Sequence, residues 1–215
     1  MGLFNIDHRP SFIEEEALLN QGIRLIAGVD EVGRGSIAGP VVAAAVIMPV
    51  NTGAGWFAEV RDSKQLSPVK REALARRIRE TAVSFGIGAV NHRLIDTMGI
   101  VRASKLAMKM AIAKLSPVPQ YLLIDYLRLA EVPLPQKGII DGDCKCFSIA
   151  CASIVAKVAR DEMMVRLDRL FAGYRLAENK GYCTEAHVAG LSCLGPSPIH
   201  RRSFQPVSGY FRQAP

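Results

Sequence analysis

No apolar run in this 215-residue chain approaches the roughly 18–20 residues that a membrane-spanning helix needs. The longest, residues 41–48, lies between Pro40 and Pro49 and reads as a buried strand. The opening residues, MGLFNIDHRPSFIEEE, lack a basic segment followed by an apolar one. Export and membrane association are therefore not expected, and the cytoplasm is. Cysteine is scarce: five residues, an odd number, with no C-x-x-C pair. That excludes the usual zinc spacing and disfavours a disulfide framework, leaving free thiols in a reducing compartment. Also missing are the G-x-x-x-x-G-K-[ST] phosphate loop and the three-glycine dinucleotide fingerprint. There is no internal repeat, low-complexity tract or long linker.

What is present is apolar and basic. Hydrophobic residues make up 49% of the chain, enough for a real core, and the length suits one domain spanning residues 1–215. Net charge is +7, which points towards a polyanionic partner, although an ordinary basic surface fits equally well. Residues 1 to about 20 read as a peripheral arm or short helix, ahead of a main body near 22–206. Strands are predicted at 25–32, 41–48, 84–90, 121–126 and 138–141. Helices are predicted at 67–82, 100–115, 149–171 and from 184 to about 195. Ser67 caps the first of these with Pro68 in its first turn. The third reads as amphipathic, with Ile154, Val158 and Val165 on one face. Strands come early and helices late, which predicts a mixed α/β sheet with a helical C-terminal part.

Several of these strands end in acids. Asp30 and Glu31 close the first, Asp125 closes YLLID, and Asp143 follows GIID through Gly142. In an α/β sheet, ligand sites gather at strand ends, so these carboxylates can converge although they are distant in sequence. Converging carboxylates repel unless a cation lies among them, and hard oxygen ligands suit Mg²⁺ or Mn²⁺. Adjacent strand residues point to opposite faces, so Asp30 and Glu31 share a site only if the strand ends or twists there. Any one such acid is more often a turn residue, and Asp141 reads that way.

Other segments stay open on residues alone. Gly33–Arg34–Gly35 lets a backbone approach a ligand closely, but an ordinary turn explains it as well. Tyr182 is a stacking partner for a base or sugar, or a half-buried anchor. Cys183 and His187, four apart, favour packing over metal binding. Arg71, Arg76, Arg77 and Arg79 read as a solvated helix face. Arg201 and Arg202, in a polar tail, read as contacts for a nucleic-acid backbone.

Taken in order, GVDEVGRGSIAGPVVAAAV, DSKQLSPVKRE, YLLID, GDCKCFSIACASIVAKVARD, KGYCTEAH and HRRSF resemble ribonuclease HII, the bacterial type 2 ribonuclease H, from about residue 25 to 206. The resemblance implies a ribonuclease H-like mixed sheet flanked by helices. It implies an endonuclease that cuts the RNA strand of RNA–DNA hybrids and nicks 5′ to ribonucleotides embedded in duplex DNA. Asp30, Glu31, Asp125 and Asp143 match the family's catalytic acids, which hold two Mg²⁺ or Mn²⁺ ions. Gly33, Arg34 and Gly35 match the backbone motif that reads the 2′-hydroxyl. Tyr182 matches the tyrosine that packs on the neighbouring deoxyribose. A monomer is the default expectation. Tyr126 stands where a glycine is common and Asp141 where a lysine is, while Cys144, Cys146 and Cys151 replace small residues. The alternatives are another metal-dependent nuclease of the same fold, such as a junction cutter, or a silent nucleic-acid-binding module.

Overall fold

The computed structural model describes residues 9–49 and 55–211. Residues 1–8 of the expected arm and the last four residues lie outside them. In chain order the elements are α1 (Ile13–Leu19), β1 (Ile26–Val32), β2 (Val41–Ile47), α2 (Pro68–Thr81), β3 (Ser84–Val90), α3 (His92–Met98) and α4 (Ile100–Ile112). There follow β4 (Tyr121–Asp125), β5 (Gln136–Ile139), α5 (Gly142–Lys145), α6 (Phe147–Leu170), α7 (Leu176–Asn179) and α8 (Glu185–Leu194).

The five strands form one sheet in the order β3-β2-β1-β4-β5. The first three are joined antiparallel, and β4 and β5 run parallel to β1. All seven residues of β2 are buried, as its unbroken Val-Ala-Ile run requires of a strand covered on both faces. On one face α4 packs with Met108 and Ile112 against Val29, Val41 and Ile124. On the other lies α6, with Ile154 and Val155 against Ala44 and Val46. Helix and sheet meet there without an intervening side chain. A Cβ on Gly28 would fall 2.1 Å from the Ser148 carbonyl carbon, so only glycine fits under the helix.

Two features of α6 differ from expectation. It begins at Phe147, and residues from Phe147 to Ala156 are buried all round rather than along one stripe. The reason is that its first half is enclosed by the sheet, α2 and the N-terminal segment at once. Glu15 of α1 serves as its cap, the carboxylate accepting from the Ser148 amide at 2.8 Å.

The fifth strand ends at Ile139, two residues early, because Asp141 adopts φ +54 and the chain turns directly into α5. The short helices α3, α5 and α7 were hidden by their length: four to seven residues give too little periodicity to read. Ser67 caps α2 as expected, its hydroxyl accepting from the Lys70 amide at 3.4 Å. Arg71 does not belong to a solvated face. It is buried and donates to the carbonyls of Ser63 (2.9 Å) and Leu66 (2.8 Å) and to Asp161 (3.1 Å), tying α2 to α6.

Candidate active site

The sheet register brings the acids together. Strands β1 and β4 pair Val29 with Ile124, and one step further sets Asp125 level with Asp30. Asp30 lies near Ser153 of α6, which acts to lower its pKa, and its Oδ1 accepts from the Glu31 amide at 2.7 Å. Glu31 follows where β1 runs out, so the alternation of faces lapses. Its carboxylate comes round close enough to feel Asp125, and Arg34 Nη1 donates to its Oε1 at 3.0 Å. Asp125 ends β4, its Oδ1 accepting from the Gly142 amide at 2.7 Å. That bond fixes the turn carrying Asp143, which is buried one residue later. All four acids therefore lie at one end of the sheet, each acting electrostatically on at least one other.

Their electrostatics are those of a crowded cluster that Arg34 and Lys64 compensate only in part. Burial, then the charges of Glu31 and Asp125, hold Asp30 well above the usual carboxylate range. Burial raises Glu31 too, although Arg34 offsets part of it. Asp125 is raised by burial and by Asp143, against the Gly142 amide. Glu31 Oε2 is buried with no protein partner. Hard oxygen donors, mutual repulsion and an orphaned buried oxygen together are what a divalent cation would relieve, so the residues fit Mg²⁺ or Mn²⁺.

Carboxylates raised on folding bind protons more tightly in the native state than in the unfolded one. In the metal-free protein their ionisation opposes folding, and that penalty fades as the pH falls through their native pKa values. Asp30→Asn, fixed in the neutral form, is expected to be more stable than the parent near pH 8. The gap should close as the pH falls through the raised native range towards the ordinary carboxylate value of about 4. Chemical denaturation in chelator at several pH values measures it. A parent that is the more stable at pH 8 would contradict the clustering.

Beside the acids lies the Gly33–Arg34–Gly35 loop. Gly33 has φ +88, and a Cβ there would fall 2.0 Å from Arg160 Nε. Arg201, wholly buried, donates from Nη2 to the Gly33 carbonyl at 2.7 Å and from Nη1 to the Arg34 carbonyl at 2.8 Å. In a trans peptide the C=O and the following N–H point in opposite directions. Arg201 therefore turns the amides of Arg34 and Gly35 away from the protein interior. Among the described residues neither amide has a protein acceptor. Gly35 is exposed, with open space where a Cβ would stand.

Tyr182 is 37% exposed, and the Arg160 guanidinium carbon lies 5.5 Å from its ring centroid. Arg160, also fully buried, donates to the Ser36 hydroxyl (2.8 Å) and to the carbonyls of Pro40 (3.0 Å) and Lys180 (2.8 Å). One guanidinium thus joins the turn before Tyr182 to residues 36–40, which follow the glycine loop.

A model of the ribonuclease HII family matches residues 27–207. The chain belongs to that family. It is 58% identical over 200 residues to ribonuclease HII of Dehalococcoides mccartyi (strain ATCC BAA-2100 / JCM 16839 / KCTC 5957 / BAV1), covering 93% of this chain and 94% of that one. It is 50% identical over 193 residues to the Enterococcus faecalis (strain ATCC 700802 / V583) enzyme, covering 90% of this chain and 74% of that one. Among solved structures it resembles the ribonuclease H2 of Pyrococcus horikoshii OT3, with TM-score 0.69 and 25% identity, over 88% of this chain and 99% of that one.

Within a ribonuclease HII frame the departures acquire physical reasons. Tyr126 has φ +54, a left-handed conformation that favours glycine, and its ring projects into solvent. Asp141 is also left-handed and exposed, with Lys145 Nζ 3.9 Å from its carboxylate. Cys146 and Cys151 are buried in packing, and burial pushes both thiols up, Cys151 well above the usual range. Cys144 touches the site: its Sγ and oxygens of Asp62 and Asp143 lie within 4.8 Å of one another. Burial and the two carboxylates push its thiol up to about 11, so it stays protonated at neutral pH.

Three functional positions were missed or misread. Lys64 donates to Asp143 Oδ2 at 3.3 Å, a role visible in advance only as the DSK run. Partial burial works against its charge, but Asp143 and Asp62 outweigh that and raise its pKa. Arg201 is not a nucleic-acid contact, being enclosed, whereas Arg202 is exposed with its guanidinium carbon 4.6 Å from the Phe211 ring centroid. Arg160 gave no signal inside a helical run. Cys183 and His187 do not pair: the thiol is exposed and the imidazole buried.

Proposed function

We propose that this ribonuclease H endonuclease cuts the RNA strand of RNA–DNA hybrids and nicks duplex DNA on the 5′ side of single embedded ribonucleotides. The observation that carries this reading is four carboxylates at one sheet end beside a loop whose amides face outwards. Asp30, Glu31, Asp125 and Asp143 would hold two Mg²⁺ or Mn²⁺ ions. When bound, such ions lower the pKa of an attacking water and neutralise the departing oxygen, leaving 3′-hydroxyl and 5′-phosphate ends.

The chain's own residues supply the rest. The Gly142 amide and Lys64 fix the carboxylates of Asp125 and Asp143. The Arg34 and Gly35 amides donate to the 2′-hydroxyl, the group that separates RNA from DNA. Tyr182 packs on the following deoxyribose, where a ribose would bring an extra hydroxyl against its ring. The net charge of +7 draws the polyanion in. Among the described residues no helix is long and apolar enough to cross a membrane. We place the enzyme in the cytoplasm, as a monomer, by its resemblance to ribonuclease HII.

Cleavage of a duplex with one ribonucleotide, assayed with Mg²⁺ and with chelator, tests the reading. A four-way DNA junction serves as the contrasting substrate. Cutting is expected on the first only and only with metal. Cutting of the junction instead would assign a different nuclease. Tyr182→Ala should lower single-ribonucleotide cleavage by about tenfold or more, the scale of one lost stacking contact, with a smaller loss on continuous hybrid.

A further inference from the structure

The turn carrying Tyr182 is secured by a chain of hydrogen bonds that ends on its own backbone carbonyl. The Ser197 amide donates to His200 Nδ1 at 3.0 Å, and the Ser197 hydroxyl lies 2.8 Å from the same nitrogen. His200 Nε2 and His187 Nε2 are 3.0 Å apart. His187 Nδ1 lies 2.9 Å from the Tyr182 carbonyl oxygen. Both imidazoles are sealed from solvent, with relative exposures of 0% for His187 and 1% for His200.

The two ends of this chain determine every proton between them. An amide N–H only donates, so His200 Nδ1 accepts. Neutral His200 then carries its proton on Nε2 and gives it to His187 Nε2, which must accept. The His187 proton therefore sits on Nδ1, facing a carbonyl that only accepts. The opposite tautomers fail at both ends, setting donor against donor at Ser197 and acceptor against acceptor at Tyr182. Burial pushes His187 down, and burial with the neighbouring His187 pushes His200 down to about 4, so both rings are neutral at neutral pH.

The same residues also border the glycine loop. His200 forms a backbone bridge with Ala38, the Gly39 amide donates to Ile199 at 3.0 Å, and the Ile37 amide donates to Gly181 at 2.8 Å. Arg201, next in the chain, grips Gly33 and Arg34. Tyr182 and the 33–35 loop are thus both referenced to residues 199–201. The pair packs against Tyr174, whose ring centroid is 4.8 Å from that of His200 and whose hydroxyl donates to the Gly195 carbonyl at 2.7 Å.

We propose that His187 and His200 form a fixed-tautomer relay that sets the position of Tyr182 relative to the 33–35 loop, and so governs how strictly cleavage requires an RNA-to-DNA junction. Neither imidazole touches substrate; both are positioning residues. The relay rests on the reading of Tyr182 as the junction sensor.

His187→Leu removes the donor to the Tyr182 carbonyl. Its kcat/KM on a single-ribonucleotide duplex is expected to fall about tenfold while continuous hybrid loses less than about twofold, as for a misplaced positioning group. His187→Asn, whose side-chain amide can still donate to that carbonyl, should recover most of the loss. Equal losses on both substrates, or none, would overturn the relay and leave a merely structural pair. Long-range ¹H–¹⁵N spectra of the unaltered protein decide the matter if the leucine variant does not fold. They should show His187 protonated on Nδ1 and His200 on Nε2, and averaged or reversed tautomers would overturn the relay. Tyr182→Ala, assayed alongside, separates the two ideas. If it spares junction selectivity, the sensing role fails and the relay with it. If it abolishes selectivity while His187→Leu keeps it, the relay alone fails.

Discussion

Asp125→Asn is expected to lower Mg²⁺-dependent cleavage of a single-ribonucleotide duplex by on the order of 10³-fold or more, with hybrid binding nearly unchanged. The variant is chosen because little else should move. An asparagine Oδ1 still accepts from the Gly142 amide, so the turn that places Asp143 is preserved. What disappears is one full negative charge and one hard ligand in a cluster where no other protein group substitutes. On the proposed reading the sugars and phosphates of the hybrid would be held elsewhere, by the glycine loop and the basic surface. Filter binding in Ca²⁺ and single-turnover cleavage in Mg²⁺ separate the two quantities. Parallel loss of both would mean that Asp125 acts in binding rather than in chemistry.

Arg201→Leu should both destabilise the protein and blunt its preference for RNA. The guanidinium satisfies the buried carbonyls of Gly33 and Gly39 and the half-buried carbonyl of Arg34, and leucine leaves all three unpartnered. Each orphaned group costs about 1–3 kcal/mol, so a loss of roughly 3–5 kcal/mol is expected after partial relaxation. The functional effect follows from peptide geometry. Without Arg201 the Gly33 and Arg34 carbonyls are free to turn, and the following amides no longer face outwards. Arg201→Lys should not rescue the loop, because an ammonium lacks the rigid fork that reaches two carbonyls at once. Urea denaturation and the ratio of cleavage at one embedded ribonucleotide to cleavage of the same duplex made wholly of DNA measure the two effects. A folded Arg201→Leu protein with undiminished selectivity would show that the loop holds its orientation by itself.

Much of this arrangement was legible in the chain. The four acids, the glycine loop and Tyr182 stood out as interruptions of an apolar or helical pattern, but on residues alone each also fitted an ordinary turn or anchor, and their roles came from the resemblance to ribonuclease HII. The sheet could be read because β2 is apolar without alternation and lies between prolines. The buried cations were not legible. Arg71, Arg160 and Arg201 sit in basic or amphipathic stretches where a solvated side chain is the ordinary outcome, and their burial depends on carbonyls brought from distant segments. Arg160, for instance, reaches Ser36 across 124 positions. The His187–His200 contact was invisible for the same reason, since only the docking of the C-terminal segment on residues 37–39 brings the two rings together. The N-terminal arm was half legible. A short helix was expected, but not that Glu15 would cap α6, because a cap supplied from another element leaves no local signature.

The most direct test of the carboxylate cluster is anomalous diffraction from crystals grown with Mn²⁺ and a hybrid containing an uncleavable linkage. Manganese peaks bounded by Asp30, Glu31, Asp125 and Asp143, with the scissile phosphate against them, are the predicted result. Manganese located elsewhere, with those four side chains bound only to protein groups, would contradict it.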